Sequence, residues 1–315
     1  MGSDPSFTSS QVVRDGFPYT VSTFKTIVYE TPTIDPASPN KRHPDEHIAR
    51  IILNRPKQRN AQDIQMTYDL NAAFDLAAQD DAIKVIVLSG GESPHFCAGH
   101  DLADNGNVED HKIVGTWCGF HSGGSESQMS KEEEIYLGIC RRWRSIPKPT
   151  IAMVHGKTIA GGLMLVWVCD LIIASEDATF SDPVVSMGVN GVEWFAHPWE
   201  LGPRKAKEFL FTADTWTAQE AHRLGMVNHV VPRDRLESST MAIARRIALK
   251  PMFGLKLTKE SVNQTLDAQG QWTAMQSVFS MHQIAHSNNL LRFGQLIDPS
   301  YINTGSVTKK VNNKL

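Results

Sequence analysis

The stretch from Lys148 to Asp170 constrains the fold of this chain more than any other. Thr150 to Val154 reads as a buried strand, and His155 to Ala160 as a glycine-punctuated turn. A nearly all-apolar helix follows from about Gly161. Glycine at 161 and 162 lets another group approach the backbone with no side chain in the way. The first N–H groups of a helix have no internal partner, and the dipole there favours negative charge. Three readings meet at this point: an anion site, a tight helix–sheet packing turn, or a membrane hairpin. Cys169 and Asp170 end the apolar run short of the ~20 residues that a membrane span needs. The first two readings stay open on this stretch alone.

The 315 residues suggest one large domain or two small ones. A hydrophobic fraction of 41% fills a sizeable core, and a net charge of -3 provides no basic footprint for nucleic acid. The four cysteines (97, 118, 140 and 169) lack metal-ligand spacing and sit mostly in apolar surroundings, which fits a reduced compartment and predicts no metal. The N-terminus shows no charged segment followed by an apolar one. The expectation is a soluble, cytoplasmic protein with neither membrane nor nucleic-acid partners.

Taken in order, residues 1–18 carry no periodic apolar pattern and read as a mobile tail. Thr20 to Tyr29 and His47 to Leu53 read as antiparallel strands, separated by a polar, proline-rich loop over 31–46. Asn54 to Asn60 is a turn, and a helix opens at Ala61. Val85 to Leu88 is short, β-branched and uncharged, as expected for a strand covered on both faces. Residues 103–130 are polar and glycine-rich, the composition of a lid, binding loop or insert. A helix is expected over 132–146, and strands over 171–174 and 178–181. Pro203 opens a helix, and Thr217 to Gly225 forms another with a capping box. A last strand spans 227–231. The pattern is helical over 236–298, with breaks near Pro251 and Gly270, and residues 299–315 read as a loose tail. Strands alternating with helices over 19–235 predict an α/β core with a largely parallel sheet.

Several segments together resemble the crotonase (enoyl-CoA hydratase/isomerase) superfamily. They are Ile52 to Ala61, Val85 to Gly90, Phe96 to Leu102, Lys148 to Ala152, Gly156 to Asp170 and Glu220 to Asn228. The resemblance covers roughly residues 20–265 in the right order. It implies a spiral of ββα turns with a helical C-terminal oligomerisation region, assembled as a homotrimer or homohexamer. It also implies an acyl-CoA thioester substrate, with coenzyme A arriving as part of the substrate and no other cofactor. Two backbone N–H groups, on His100 and Gly161, would stabilise an enolate or thioester oxyanion. Such preorganised donors act on charge that develops in the transition state. Ala98, Asp101, Leu102 and Val184 would line the acyl site. Arg55, Lys57 and Arg59, with Lys259 a weaker candidate, fall where the family holds the nucleotide end.

One departure changes the expected chemistry. The two carboxylates that a hydratase of this family uses fall on Met164 and Val184, neither of which exchanges protons. The nearest acidic residue beyond the second position is Glu193, and the apolar Trp194 and Phe195 beside it predict a raised carboxyl pKa. Asp182 and His197 are alternative acid–base groups, and Asp170 reads as structural. The His100 side chain is expected to line the pocket or point away from it rather than to act. In the 103–130 segment, His111, Trp117, Phe120 and His121 either shape the acyl pocket or belong to a surface loop.

Overall fold

A computed structural model describes residues 6–14, 16–34 and 43–300. Its strands, in chain order, are β1 (Thr8–Arg14), β2 (Phe17–Thr23), β3 (Ile27–Pro32), β4 (Ile48–Leu53), β5 (Val85–Ser89), β6 (Thr150–Val154), β7 (Lys157–Ile159), β8 (Leu171–Ser175), β9 (Thr179–Ser181), β10 (Trp216–Thr217) and β11 (His229–Val231). The helices are α1 (Ile64–Gln79), α2 (Gly124–Glu132), α3 (Ile139–Arg144), α4 (Gly161–Trp167), α5 (His197–Leu201), α6 (Pro203–Thr212), α7 (Ala218–Arg223), α8 (Leu236–Ala248), α9 (Met252–Ala268) and α10 (Gln271–Phe293). The larger sheet runs β1-β2-β3-β4-β5-β6-β8-β11, and the smaller one runs β10-β9-β7. Neighbours are antiparallel from β1 to β4 and parallel from β4 to β11. The mixed α/β core with a helical C-terminal region is the predicted fold class.

The central strands lack alternation because both of their faces are covered. Ile86, Leu88, Ala152, Val154, Ile172 and Ala174 pack with Leu70 and Phe74 of α1, Trp143 of α3 and Leu163 of α4. Val85, Val87, Ile151, Met153 and Ile173 pack instead on Leu236, Met241, Ala244 and Ala248 of α8. Each such buried aliphatic side chain contributes roughly 1.5–3 kcal/mol. Lys148 Nζ donates to the carbonyls of Ala77 (2.8 Å) and Asp80 (2.6 Å), a cation satisfying the C-terminal end of α1. Among the described residues, no helix is long and apolar enough to cross a membrane.

Several expectations need correction. Residues 8–14, read as part of a mobile tail, form β1 and pair antiparallel with β2. They show no apolar period because most of β1 is exposed, and Arg14 reaches Glu30 through two hydrogen bonds. Thr20 to Tyr29 is two strands rather than one, because the chain reverses at Phe24, whose N–H donates to Ile27 O at 3.0 Å. The first long helix starts at Ile64 rather than Ala61, since Asp63 Oδ1 accepts from Met66 N at 2.7 Å and caps it. The helix expected from 132 begins at Gly124 and continues to Arg144 through a π-helical segment, Glu133–Gly138. Residues 1–5 and 301–315 of the two tails, and 35–42 of the proline-rich loop, lie outside the described residues.

Candidate active site

The first donor is set by a short parallel bridge. Gln62 N donates to Gly99 O at 2.8 Å, and Asp101 N donates to Gln62 O at 2.9 Å. In an extended segment successive peptide groups alternate sides, so pairing 99 and 101 with Gln62 turns the His100 N–H the other way. Among the described residues it has no acceptor. Arg55 braces this arm from behind, with Nη2 3.0 Å from both Asp101 and Asp63.

The second donor is the N–H of Gly161, the first residue of α4. Ala160 precedes it with φ 45° and ψ -114°, an unfavourable conformation for a residue with a Cβ. Ala160 N donates to Ser181 O at 2.9 Å, and its carbonyl accepts from Leu163 N at 2.7 Å. The Gly161 N–H is left with no acceptor among the described residues. A Cβ on Gly99 (φ 99°) would lie 3.7 Å from Gly161 N, so the two arms meet here. A Cβ on Gly162 would lie 2.8 Å from Cys97 O, so that glycine permits the close packing of helix on strand. The packing reading holds for Gly162, and Gly161 presents an N–H without an acceptor among the described residues.

The imidazole of His100 lies over this junction. A Cβ on Gly161 would fall 2.5–2.9 Å from three of its ring atoms. The ring stacks on Tyr136 with centroids 3.9 Å apart, and Nε2 is 3.1 Å from Glu193 Oε2. Burial alone would raise the Glu193 carboxyl. The charge and hydrogen bond of His100, with His282 behind them, hold it below the usual carboxylate range instead. This corrects the expected upward shift: Trp194 is buried beside Glu193, but the groups facing the carboxylate are imidazoles. An ionised carboxylate only accepts, so Nε2 of His100 carries a hydrogen toward it. His100 Nδ1 is buried without a hydrogen-bond partner. Of the two expected placements, lining the pocket or pointing away, the ring takes the first.

Glu193 is held in place by the loop that carries it. Asp182, fully buried, accepts from Val192 N (3.2 Å) and from His197 Nε2 (2.8 Å). His197 is also fully buried, against Trp167 and Phe195. These two candidates for acid–base work anchor the loop instead. Asp170 accepts from Thr150 N and pairs with Lys259 Nζ at 2.9 Å, which confirms its structural reading and removes Lys259 from the cations open to a ligand.

The remaining candidates separate by exposure. Lys57 and Arg59 are exposed on the turn before α1, whereas the Arg55 guanidinium is occupied by its two carboxylates. Ala98 is half-buried and its N–H donates to Arg59 O, leaving its side chain as the available part. Leu102 is 72% exposed, Val184 is half-buried, and Met164 is fully buried in α4. Part of the 103–130 segment is pinned: buried Glu134 accepts from Val114 N (2.7 Å), Gly115 N (2.8 Å) and Tyr68 OH (3.1 Å). His111 stacks on Tyr68 at 4.3 Å, His121 pairs with Glu109, and Phe120 packs on Val108 and Ile135. Trp117 is exposed.

Sequence reasoning missed Tyr136, which the widened π-helical turn carries against His100. It also missed Glu132, His282 and His286, which lie buried behind Glu193. The i, i+4 spacing of the two histidines was visible, but Glu132 is remote in sequence.

The family model described as enoyl-CoA hydratase/isomerase matches residues 44–290, more than half of the chain. The Mycobacterium tuberculosis protein EchA13, provisionally named an enoyl-CoA hydratase, is 47% identical over 251 residues, covering 78% of this chain and 79% of that protein. A crotonyl-CoA hydratase of Syntrophomonas wolfei is 31% identical over 226 residues, covering 70% and 79%. The crystal structure of a probable enoyl-CoA hydratase from Mycobacterium smegmatis superposes with a TM-score of 0.73 at 48% identity, covering 80% of this chain and 96% of that one.

Proposed function

The chain belongs to the enoyl-CoA hydratase/isomerase family, and from that premise we propose that it processes an acyl-CoA thioester through an enolate, using His100 and Glu193 for proton transfer. The thioester oxygen sits between the N–H groups of His100 and Gly161. In its neutral form, with the hydrogen on Nε2, His100 takes a proton at Nδ1 from the carbon next to the thioester carbonyl, and the electron pair moves onto the oxygen held by the two donors. Glu193 fixes the ring's tautomer through Nε2–H and stabilises the imidazolium that forms, the part an aspartate plays in a hydrolase triad. With a β,γ-unsaturated acyl group the enolate is a dienolate, and return of the proton to its γ carbon moves the double bond. Isomerisation, or hydrolytic or C–C cleavage chemistry, fits this single acid–base unit better than two-glutamate hydration, because Met164 and Val184 occupy the expected carboxylate positions. Lys57 and Arg59 meet the phosphates of coenzyme A, and Leu102, Val184 and Trp117 border the acyl chain.

The observation that carries this reading is the 3.1 Å contact of His100 Nε2 with Glu193, directly over Gly161. Steady-state turnover on a panel of saturated and unsaturated acyl-CoA thioesters tests it with His100→Gln and Glu193→Gln, both of which keep the backbone donors. The expected result is a fall in kcat of roughly 10²–10⁴-fold with KM changed only a few-fold. Full turnover in both variants contradicts the assignment. Tight thioester binding by the parent chain without turnover would favour a binding protein that kept the fold, a reading motivated by the same two apolar replacements.

A further inference from the structure

We propose that Glu132, His282 and His286 form a divalent transition-metal site of the zinc type, behind Glu193 and distinct from the thioester site. The two histidines lie one turn apart on the buried face of α10, and Glu132 ends α2 opposite them. Glu132 Oε1 is 3.2 Å from His286 Nε2, and Oε2 is 3.6 Å from His282 Nε2. The three ligand atoms all lie within 4.8 Å of one another. Tetrahedral zinc with imidazole and carboxylate ligands at about 2.0–2.2 Å places its ligand atoms about 3.3 Å apart, so the three side chains need to draw together by about an ångström to hold it.

The hydrogen bonding around the three residues points the same way. His282 Nδ1 is 2.9 Å from Gly191 O, and His286 Nδ1 is 2.8 Å from Leu296 O. A carbonyl only accepts, so each Nδ1 carries the hydrogen, and in a neutral ring each Nε2 presents a lone pair. Each Nε2 faces an oxygen of Glu132, a place that either a proton on the ring or a shared cation fills. The Nε2 of His282, on a residue only 4% exposed, has no hydrogen-bond partner among the described residues. A cation between the three atoms takes the place of ring protons and makes both contacts ligand bonds. Ligating histidines characteristically donate their other ring N–H to a carbonyl, as both do here. The carboxylate is oriented in the same manner, by amides of Gln128 (2.5 Å, to Oε1) and Gln283 (to Oε2). Two nitrogens and one carboxylate oxygen suit zinc better than magnesium or calcium. The site joins α2, α10 and, through Gly191, the loop that carries Glu193. A bound ion therefore braces the acid–base residue without touching the substrate.

The test uses the full chain, stripped with a chelator and then titrated with zinc or cobalt(II). One equivalent of zinc per chain retained through gel filtration is expected. Cobalt(II) should give visible d–d bands without the charge-transfer band of a thiolate, which separates this site from the exposed Cys118. Glu132→Gln and His286→Gln should each weaken zinc binding by at least about 100-fold, while Cys118→Ser leaves it unchanged. Circular dichroism establishes that each variant is folded. If the folded parent chain retains neither metal, the proposal is overturned and protons on the two imidazoles fill the gap instead. Undiminished binding in the folded variants overturns it equally, because the ion then sits elsewhere. The parent result decides the matter even if a variant does not fold.

Discussion

Gly161 carries two constraints at once, and one substitution separates them. Gly161→Ala keeps the N–H at the start of α4 but places a methyl group where the His100 ring lies, 2.5 Å from its nearest atom. The imidazole must swing away from Glu193, while the backbone donors and the coenzyme A contacts stay. Displacing a positioned acid–base group by about an ångström costs on the order of 10² in rate. We therefore expect kcat to fall about 100-fold or more with acyl-CoA binding nearly unchanged, measured by turnover and by calorimetric titration of a non-reacting thioester. Unchanged kcat contradicts a role for the ring. The two backbone N–H groups were picked out by the family resemblance rather than by the glycines alone, and among the described residues both lack an acceptor. The contact of the His100 side chain with Glu193 was not legible, since a partner 93 residues away leaves no local signal. The Glu193 carboxyl was misjudged for the same reason: neighbours in sequence, Trp194 and Phe195, suggested an apolar wall, but its neighbours in space are histidines.

Among the elements, the helical run over 124–144 does most to shape the site. Its π-helical turn brings Tyr136 onto His100, and Glu134 in the same turn fastens residues 114–115 through their N–H groups. Glu134→Ala leaves the buried Tyr68 hydroxyl and the half-buried Val114 amide without an acceptor, while water can reach the exposed Gly115, a cost of about 1–3 kcal/mol. We expect that loss in urea unfolding, together with faster amide exchange at Val114 and Gly115. Exchange there at the parent rate contradicts the pinning. Strands β5, β6 and β8 were readable because charge-free β-branched runs have few alternatives. The π-helical turn was not, because a one-residue widening of a helix leaves the apolar period almost intact. Strand β1 escaped for the opposite reason: an exposed edge strand needs only a partner, not a pattern.

At the scale of the whole molecule, the C-terminal half of α10 turns polar side chains inward and apolar ones outward. Its buried stripe includes His282, His286 and Asn289, whereas Met281, Ile284 and Leu291 are 56%, 67% and 89% exposed. Phe253 and Leu257, one turn apart on α9, are also exposed. Apolar faces of this kind mark association surfaces, and we predict that sedimentation equilibrium finds three or six chains per particle; a monomer at micromolar concentration contradicts this. Stability should also depend on pH through Glu200, half-buried without an ion pair among the described residues, whose carboxyl burial pushes up to about 7 from 4.5. The folded chain keeps a proton that the unfolded chain releases. That contribution is fully present below about pH 4.5 and is lost as the pH rises through 7. Glu200→Gln should accordingly match the parent at pH 4 and exceed it by on the order of 1–2 kcal/mol at pH 8 in urea unfolding; an equal difference at both pH values contradicts the shift. The central claim is that two backbone donors hold an enolate while His100 moves the proton. Incubation of a saturated acyl-CoA in D2O, followed by mass spectrometry, measures this directly without knowledge of the physiological acyl group. The parent chain should exchange the protons next to the thioester carbonyl, and His100→Gln should exchange them about 100-fold more slowly or worse. Absence of exchange in the parent with thioester bound, or equal exchange in the variant, contradicts the account.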